Sequence, residues 1–344
     1  MKRAVSPHIL LLSAVVLAGF TGCTKTGQPG GTVVEIRAAV DGTAVETKAA
    51  SPLPGGSSFG IFACVHEDAP AVFAPFKPAT YNVRANGGGA AWTFDYVFYT
   101  STGGLGGGNS SSSFRLVARD DDQAADLYAY APWTQDAYAA GPAAIPFVSS
   151  ENRDLMYAEQ NLTNANGGKD PANPPLSAAF TFKHAMARLD LKLRLRNGPP
   201  TVYKISEVTV RRADGASTRL YTSGSLNAIT GELDHLEEGE SFSVAFSPEF
   251  TLVDSTTPRT LTILLPPTDL AADGELEIVI TANGQQLRAF PIKQEYVEYD
   301  GGSSHGFRAG YRYTFNFTLD NYLFLDGFTL SDSWTPEDLV PEEI

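Results

Sequence analysis

Arg188-Leu189-Asp190-Leu191-Lys192-Leu193-Arg194-Leu195-Arg196 alternates charged and apolar side chains without a break. Period two places the four leucines on one face of a strand and the five charges on the other, whereas a helix would scatter the leucines around its circumference. Further along, Tyr311, Tyr313, Phe315, Phe317 and Leu319 alternate in the same way with Arg312, Thr314, Asn316, Thr318 and Asp320. Leu276, Ile278 and Ile280 run into Asn283-Gly284, a pair favoured in two-residue hairpin turns because both positions tolerate positive φ. Further strands are expected over 201–212, 217–222, 241–247 and 260–265. No stretch carries a sustained 3.6-residue apolar stripe with caps. The fold expected is all-β, two tandem antiparallel β-sandwich domains.

The first half is less regular. Leu127-Tyr128-Ala129-Tyr130-Ala131-Pro132 reads as an aromatic strand closed by a proline, which cannot donate to a ladder. Residues 59–65 read as a buried strand and 32–40 as a short apolar one. The run Ser-Thr-Gly-Gly-Leu-Gly-Gly-Gly-Asn-Ser-Ser-Ser-Ser over 101–113 reads as a low-complexity loop that cannot bury a core. Two breaks compete for the domain boundary, 164–175 and Asn197-Gly198-Pro199-Pro200. The division adopted is a signal over 1–22, a tether and N-terminal strand over 23–58, and sandwiches over 59–180 and 181–344.

Composition narrows the function classes. The 344 residues carry 25 Lys and Arg against 39 Asp and Glu, a formal charge of −14, with no concentrated basic tract. Nucleic acid is therefore not an expected partner, because its affinity comes mainly from neutralising phosphates. The 32 Gly and 22 Pro, with 14 Tyr and 20 Phe, favour strands joined by turns over long helices. Two Cys argue against a disulfide scaffold and three Met against a Met-rich groove.

Lys2 and Arg3 precede an apolar run over 9–18 that is too short to span a bilayer, which is the layout of a secretory signal. Phe20-Thr21-Gly22-Cys23 resembles a bacterial lipobox, in which the Cys23 thiol would be diacylated and become the new N-terminus. More than one acyl chain on a residue gives a stable anchor, where a single chain is marginal. Cys64 then has no disulfide partner and reads as a small apolar strand residue.

Catalytic patterns are few and poorly placed. Gly56-Ser57-Ser58-Phe59-Gly60 and Gly302-Ser303-Ser304-His305-Gly306 both match G-x-S-x-G. A nucleophile elbow needs a helix after the turn, and both matches lead into strands. His66, His184, His235 and His305 show no i, i+2 or i, i+4 pairing for zinc. Asp120-Asp121-Asp122 lacks the spacing of a calcium loop. The 103–108 glycine run lacks the G-K-[ST] of a phosphate loop. No cofactor, metal or catalytic set is expected, and the chain is not expected to be an enzyme.

One ordered series remains. It comprises Thr47-Lys48-Ala49, Phe59-Gly60-Ile61-Phe62-Ala63, Tyr128-Ala129-Tyr130-Ala131-Pro132, Asp154-Leu155-Met156-Tyr157-Ala158, Phe180-Thr181-Phe182-Lys183-His184-Ala185-Met186-Ala187-Arg188-Leu189, Gly310-Tyr311-Arg312-Tyr313-Thr314-Phe315 and Trp334. It resembles, in order and over nearly the whole chain, the landmarks of the Bacteroidetes fimbrillins. The resemblance implies transthyretin-like sandwiches in a pilin exported as a lipoprotein to the outer membrane and assembled into a surface fimbria. In such families a protease cuts after a basic residue beyond the first strand, and a neighbouring subunit fills the vacated groove. Main-chain hydrogen bonds then give affinity and alternate side chains give specificity. On this chain the resemblance points to a cut between Arg37 and Ala38, with Lys48 as second candidate. The donor is expected among Leu323, Leu325, Phe328 and Leu330, although the same residues also suit a last strand paired within its own domain. Residues 335–344, with four acids and two prolines, suit a solvated tail better than an inserted strand. Expected partners are other fimbrial subunits and, before trimming, the outer-membrane lipid. A tip or accessory adhesin binding a host glycan or protein is the alternative, with Tyr96, Phe98 and Tyr99 as its aromatic candidates.

Overall fold

A computed structural model describes residues 32–40, 51–53, 56–66, 81–88, 91–99, 105–112, 114–116, 124–163, 176–196, 202–253, 256–299, 304–320 and 322–332. Over these residues the chain is nearly all β, with multiple antiparallel sheets. The largest sheet takes its strands in the order Ser51–Pro52, Thr32–Val40, Leu176–His184, Met156–Thr163, Ala124–Ala131, Ser57–His66, Val83–Gly88, Ala91–Tyr99 and Leu105–Ser111. Phe114–Leu116 also pairs with Thr32–Val40. The second half builds one sheet ordered Arg259–Leu265, Ala187–Leu195, Arg312–Leu319, Leu323–Ser331. A second sheet there is ordered Ser241–Leu252, Tyr203–Arg212, Leu276–Ala282, Gln285–Gln286.

The alternating leucines do what period two demands. Leu189, Leu191 and Leu193 are fully buried and Leu195 nearly so, in one apolar core with Tyr313, Phe315 and Phe317. Val208, Val210, Ile278 and Ile280 close that core from the facing sheet. The Asn283-Gly284 turn has φ of 51° and 75°, as a two-residue hairpin of this type requires. A first core gathers Phe59, Ile61, Phe94, Phe114, Phe180 and Phe182. A third core draws on both halves, with Phe62, Tyr130 and Phe147 beside Met186, Leu226 and Leu264.

Two expectations are corrected. Over its described part the glycine and serine run is not a loop, since Leu105–Ser111 pairs antiparallel with Ala91–Tyr99 at the rim of the large sheet. A ladder bonds main chain to main chain and needs no side chain to bury. The strand expected over 217–222 lies at Tyr221–Leu226 instead. Ser217 and Thr218 are held outside the ladder because their backbone amides and hydroxyls all donate to the Glu275 carboxylate. The expected antiparallel sheets are present and include two parallel pairings. Thr32–Val40 runs parallel to Leu176–His184, and Ala187–Leu195 runs parallel to Arg312–Leu319.

Those bonds, the Thr218 hydroxyl foremost, hold the Glu275 carboxyl down at about 2, where 4.5 is its ordinary value. A lowered folded-state value stabilises the fold above the unfolded value, and this contribution is lost as pH falls through the folded one. Glu275→Gln is therefore expected to lower the melting temperature at neutral pH, with the gap to wild type closing between pH 4.5 and 2. Thermal melts across that range check it.

Candidate assembly interface

The N-terminal strand lies in the large sheet between one long partner and two short ones. On one side it pairs with Leu176–His184 from Val34↔Leu176 to Val40↔Phe182. On the other, Phe114–Leu116 covers Thr32 to Val34, and Ser51–Pro52 covers Ala39 and Val40. Among the described residues no strand covers 35–38 on that outer edge. Ile36 and Ala38 point inward and are buried in the first core, while Glu35 and Arg37 point outward. The Arg37 side chain is 72% exposed and lies along Glu35, with Nη2 2.9 Å from Oε1. So exposed a pair adds little stability.

The partner strand alternates in full register with this arrangement. Ala178, Phe180, Phe182 and His184 are buried, and Ser177, Ala179, Thr181 and Lys183 are exposed. Removing residues 32–37 would uncover the backbone edge of this strand over Leu176–Ala179, and Ala38 to Val40 would keep their pairing with Phe180 to Phe182.

At the other end of the chain, Leu323–Ser331 is the rim strand of its sheet and pairs with Arg312–Leu319. Leu323, Leu325, Phe328 and Leu330 sit opposite Leu319, Phe317, Phe315 and Tyr313. All four therefore share the core-facing side, although 325 and 328 are three apart. One extra residue at Asp326-Gly327 bulges the strand and restores the phase. Leu323 is buried and Leu325 half-buried against the second core. Phe328 and Leu330 remain 41% and 37% exposed, Phe328 resting on Tyr296 at 5.0 Å. On its outer side this strand meets described residues only near its start, at the Arg288↔Tyr322 bridge.

The landmark segments converge where the halves meet. His184 Nδ1 lies 2.9 Å from Asp154 Oδ1 with both side chains buried, and the Ala185 amide donates to the Leu155 carbonyl at 2.7 Å. Gly310 N–H donates to Met186 O at 2.9 Å. In the first half, the Tyr130 hydroxyl reaches Asn82 Oδ1 at 2.7 Å and the Thr134 carbonyl at 2.9 Å, and burial pushes its phenol well above the ordinary range.

Sequence reasoning missed the buried charges. Arg188 and Asp190 face away from the leucines, yet their side chains are 1% and 0% exposed. Asp190 accepts from Arg188 Nε at 2.9 Å, Thr262 Oγ1 at 2.7 Å and Arg312 Nε at 2.7 Å. The only sequence signal was that Asp190 stands alone among four bases on its face.

The other candidates do not converge. Ser58 and Ser304 both lie in strands, and Cys64 is buried in the large sheet. His235 is exposed at a positive φ and His305 is half-buried. Tyr96, Phe98 and Tyr99 stand opposite Asn109, Gly106 and Leu105. Among the described residues no group of His, Cys, Asp and Glu could hold a metal ion, and no helix is long and apolar enough to cross a membrane. Cys23, Lys48, Asp120-Asp121-Asp122, Trp334, the tail 335–344 and both boundary breaks lie outside the described residues.

Several solved structures are similar to this chain. A Bacteroides ovatus protein assigned to cell adhesion superposes with a TM-score of 0.56 at 15% identity, covering 89% of this chain and 99% of its own. A Bacteroides uniformis protein with the same assignment matches at 0.49 and 17% identity, over 89% and 99% of the two chains. A Bacteroides vulgatus fimbrial protein matches at 0.46 and 14% identity, over 88% and 100%. Among curated proteins, none matches the sequence. The first of these likenesses shows a shared all-β fold. The profile described as fimbrillin-like matches residues 47–333, and the chain belongs to that family. Membership gives it a fimbrial role at the cell surface.

Proposed function

We propose that the chain is a structural subunit of a fimbria, exported as a lipoprotein acylated on Cys23, trimmed between Arg37 and Ala38, and assembled by β-strand addition. In this reading 23–58 is the tether and removable strand, 59–180 the first sandwich and 181–344 the second. The observation that carries it is the setting of the N-terminal strand. Its one long partner is the landmark strand Leu176–His184, its outer edge is uncovered over 35–38 among the described residues, and a basic residue stands outward in that window. Taking such a strand away leaves an apolar groove with a ready hydrogen-bonding edge, which a second extended segment relieves.

The test compares chains beginning at Thr24 and at Ala38 by light scattering. The shorter chain is expected to form SDS-resistant oligomers and the longer one to stay monomeric. A shorter chain that folds and remains monomeric at every concentration ends the reading.

One observation favours the adhesin alternative. The C-terminal strand is held inside its own sheet over eight register positions and is anchored by Leu323, so donating it means breaking that pairing. A tip or accessory subunit has no need to donate. Glycan-array binding that Tyr99→Ala abolishes supports this second reading, and silence on the array counts against it.

A further inference from the structure

The sheet that carries the leucine strand has two rims, and they are treated differently. One is Leu323–Ser331, described above. The other is Arg259–Leu265, whose outward backbone is met by a side chain from the first half of the protein. Asn152 Nδ2 donates to the Thr262 carbonyl at 2.9 Å, and the Leu264 amide donates to Asn152 Oδ1 at 2.7 Å. A carboxamide offers the same donor and acceptor as a peptide group. Asn152 therefore makes the two bonds that the backbone of an adjoining strand would make. Its position follows from local chemistry, because it closes the short turn Ser149–Glu151 in the left-handed region, at φ 52° and ψ 42°, where asparagine is among the few residues accommodated easily. Thr262 is held from its side chain as well, through its hydroxyl on Asp190.

We infer that Asn152 is an edge plug, which denies the Arg259–Leu265 rim to a strand from a second copy of this chain. The inference rests on the strand-addition reading, since a protein that assembles by lending strands must keep its other rims from accepting them. Exposed rims are otherwise templates for unintended pairing. The plug spares the opposite rim, where Phe328 and Leu330 are exposed.

The test uses the untrimmed full chain carrying Asn152→Ala, with two readouts. Hydrogen exchange at the Leu264 amide is expected to accelerate about fivefold through loss of one hydrogen bond. Light scattering is expected to show dimers that grow with concentration, which wild type lacks. Thr260 lies two residues from Thr262, so its backbone points the same way, and Thr260→Pro removes an outward N–H that an incoming strand would use. Asn152→Ala with Thr260→Pro is expected to return the chain to monomer. Faster Leu264 exchange in a variant that stays monomeric throughout overturns the inference, and so does unchanged exchange. Neither result bears on the chain beginning at Ala38, whose failure to oligomerise would sink the assembly reading on its own.

Discussion

Asp190→Ala is expected to cost about 3–5 kcal/mol of folding stability, enough to unfold a marginal domain. The carboxylate is fully buried and receives three donors, two of them guanidinium groups. Taking it away leaves Arg188 charged in a site where water cannot replace the lost partner. Asp190→Asn keeps the shape but supplies neither the charge nor a second acceptor, so it should fall between alanine and wild type. Urea unfolding with a fluorescence readout measures all three proteins. An alanine variant within about 1 kcal/mol of wild type would show that the cluster contributes less than its burial demands.

The second large effect is expected at Gly60→Ala. A Cβ there would be driven into the ring of Tyr130, with Cζ at 2.6 Å and Asn82 Oδ1 at 2.8 Å. The ring has nowhere to go, because it is fully buried and its hydroxyl is bonded to Asn82 and Thr134. Overpacking of this kind costs about 3 kcal/mol. The cause is testable separately from the position, since adding Tyr130→Leu to Gly60→Ala makes room and should recover part of the loss. If the double variant is worse than the sum of the two single ones, the ring is not the obstacle. The glycine and the aromatic strand are thus two halves of one packing unit.

Period two was enough to read the leucine strand, the aromatic strand beside it and the hairpin at Asn283-Gly284, because in each case one face is apolar and the other is polar. It does not encode which strand lies alongside, or in which direction, so the two parallel pairings were invisible. It also says only that Arg188 and Asp190 share a face. Whether that face meets water depends on what folds over it, and here Thr262 and Arg312 close around it from segments far along the chain. The glycine and serine strand was missed for the opposite reason, since it has almost no side chains to display a pattern. The out-of-phase apolar pairs 323/325 and 328/330 around Asp326-Gly327 did carry a readable bulge signal. The N-terminal strand itself was legible as an apolar segment with a basic residue. Its uncovered outer edge was not, because that depends on where Ser51–Pro52 and Phe114–Leu116 stop.

The parallel seat of the N-terminal strand also orders events in time. Val34 and its neighbour Leu176 lie far apart along the chain, so docking them closes a very long loop, and such contacts form only after shorter-range ones have been made. Although it comes first among the described strands, it is consequently expected to be among the last seated in its sheet. Under the strand-addition reading proposed above, a subunit would spend part of its folding with that slot vacant, open to any other extended segment until its own strand docks.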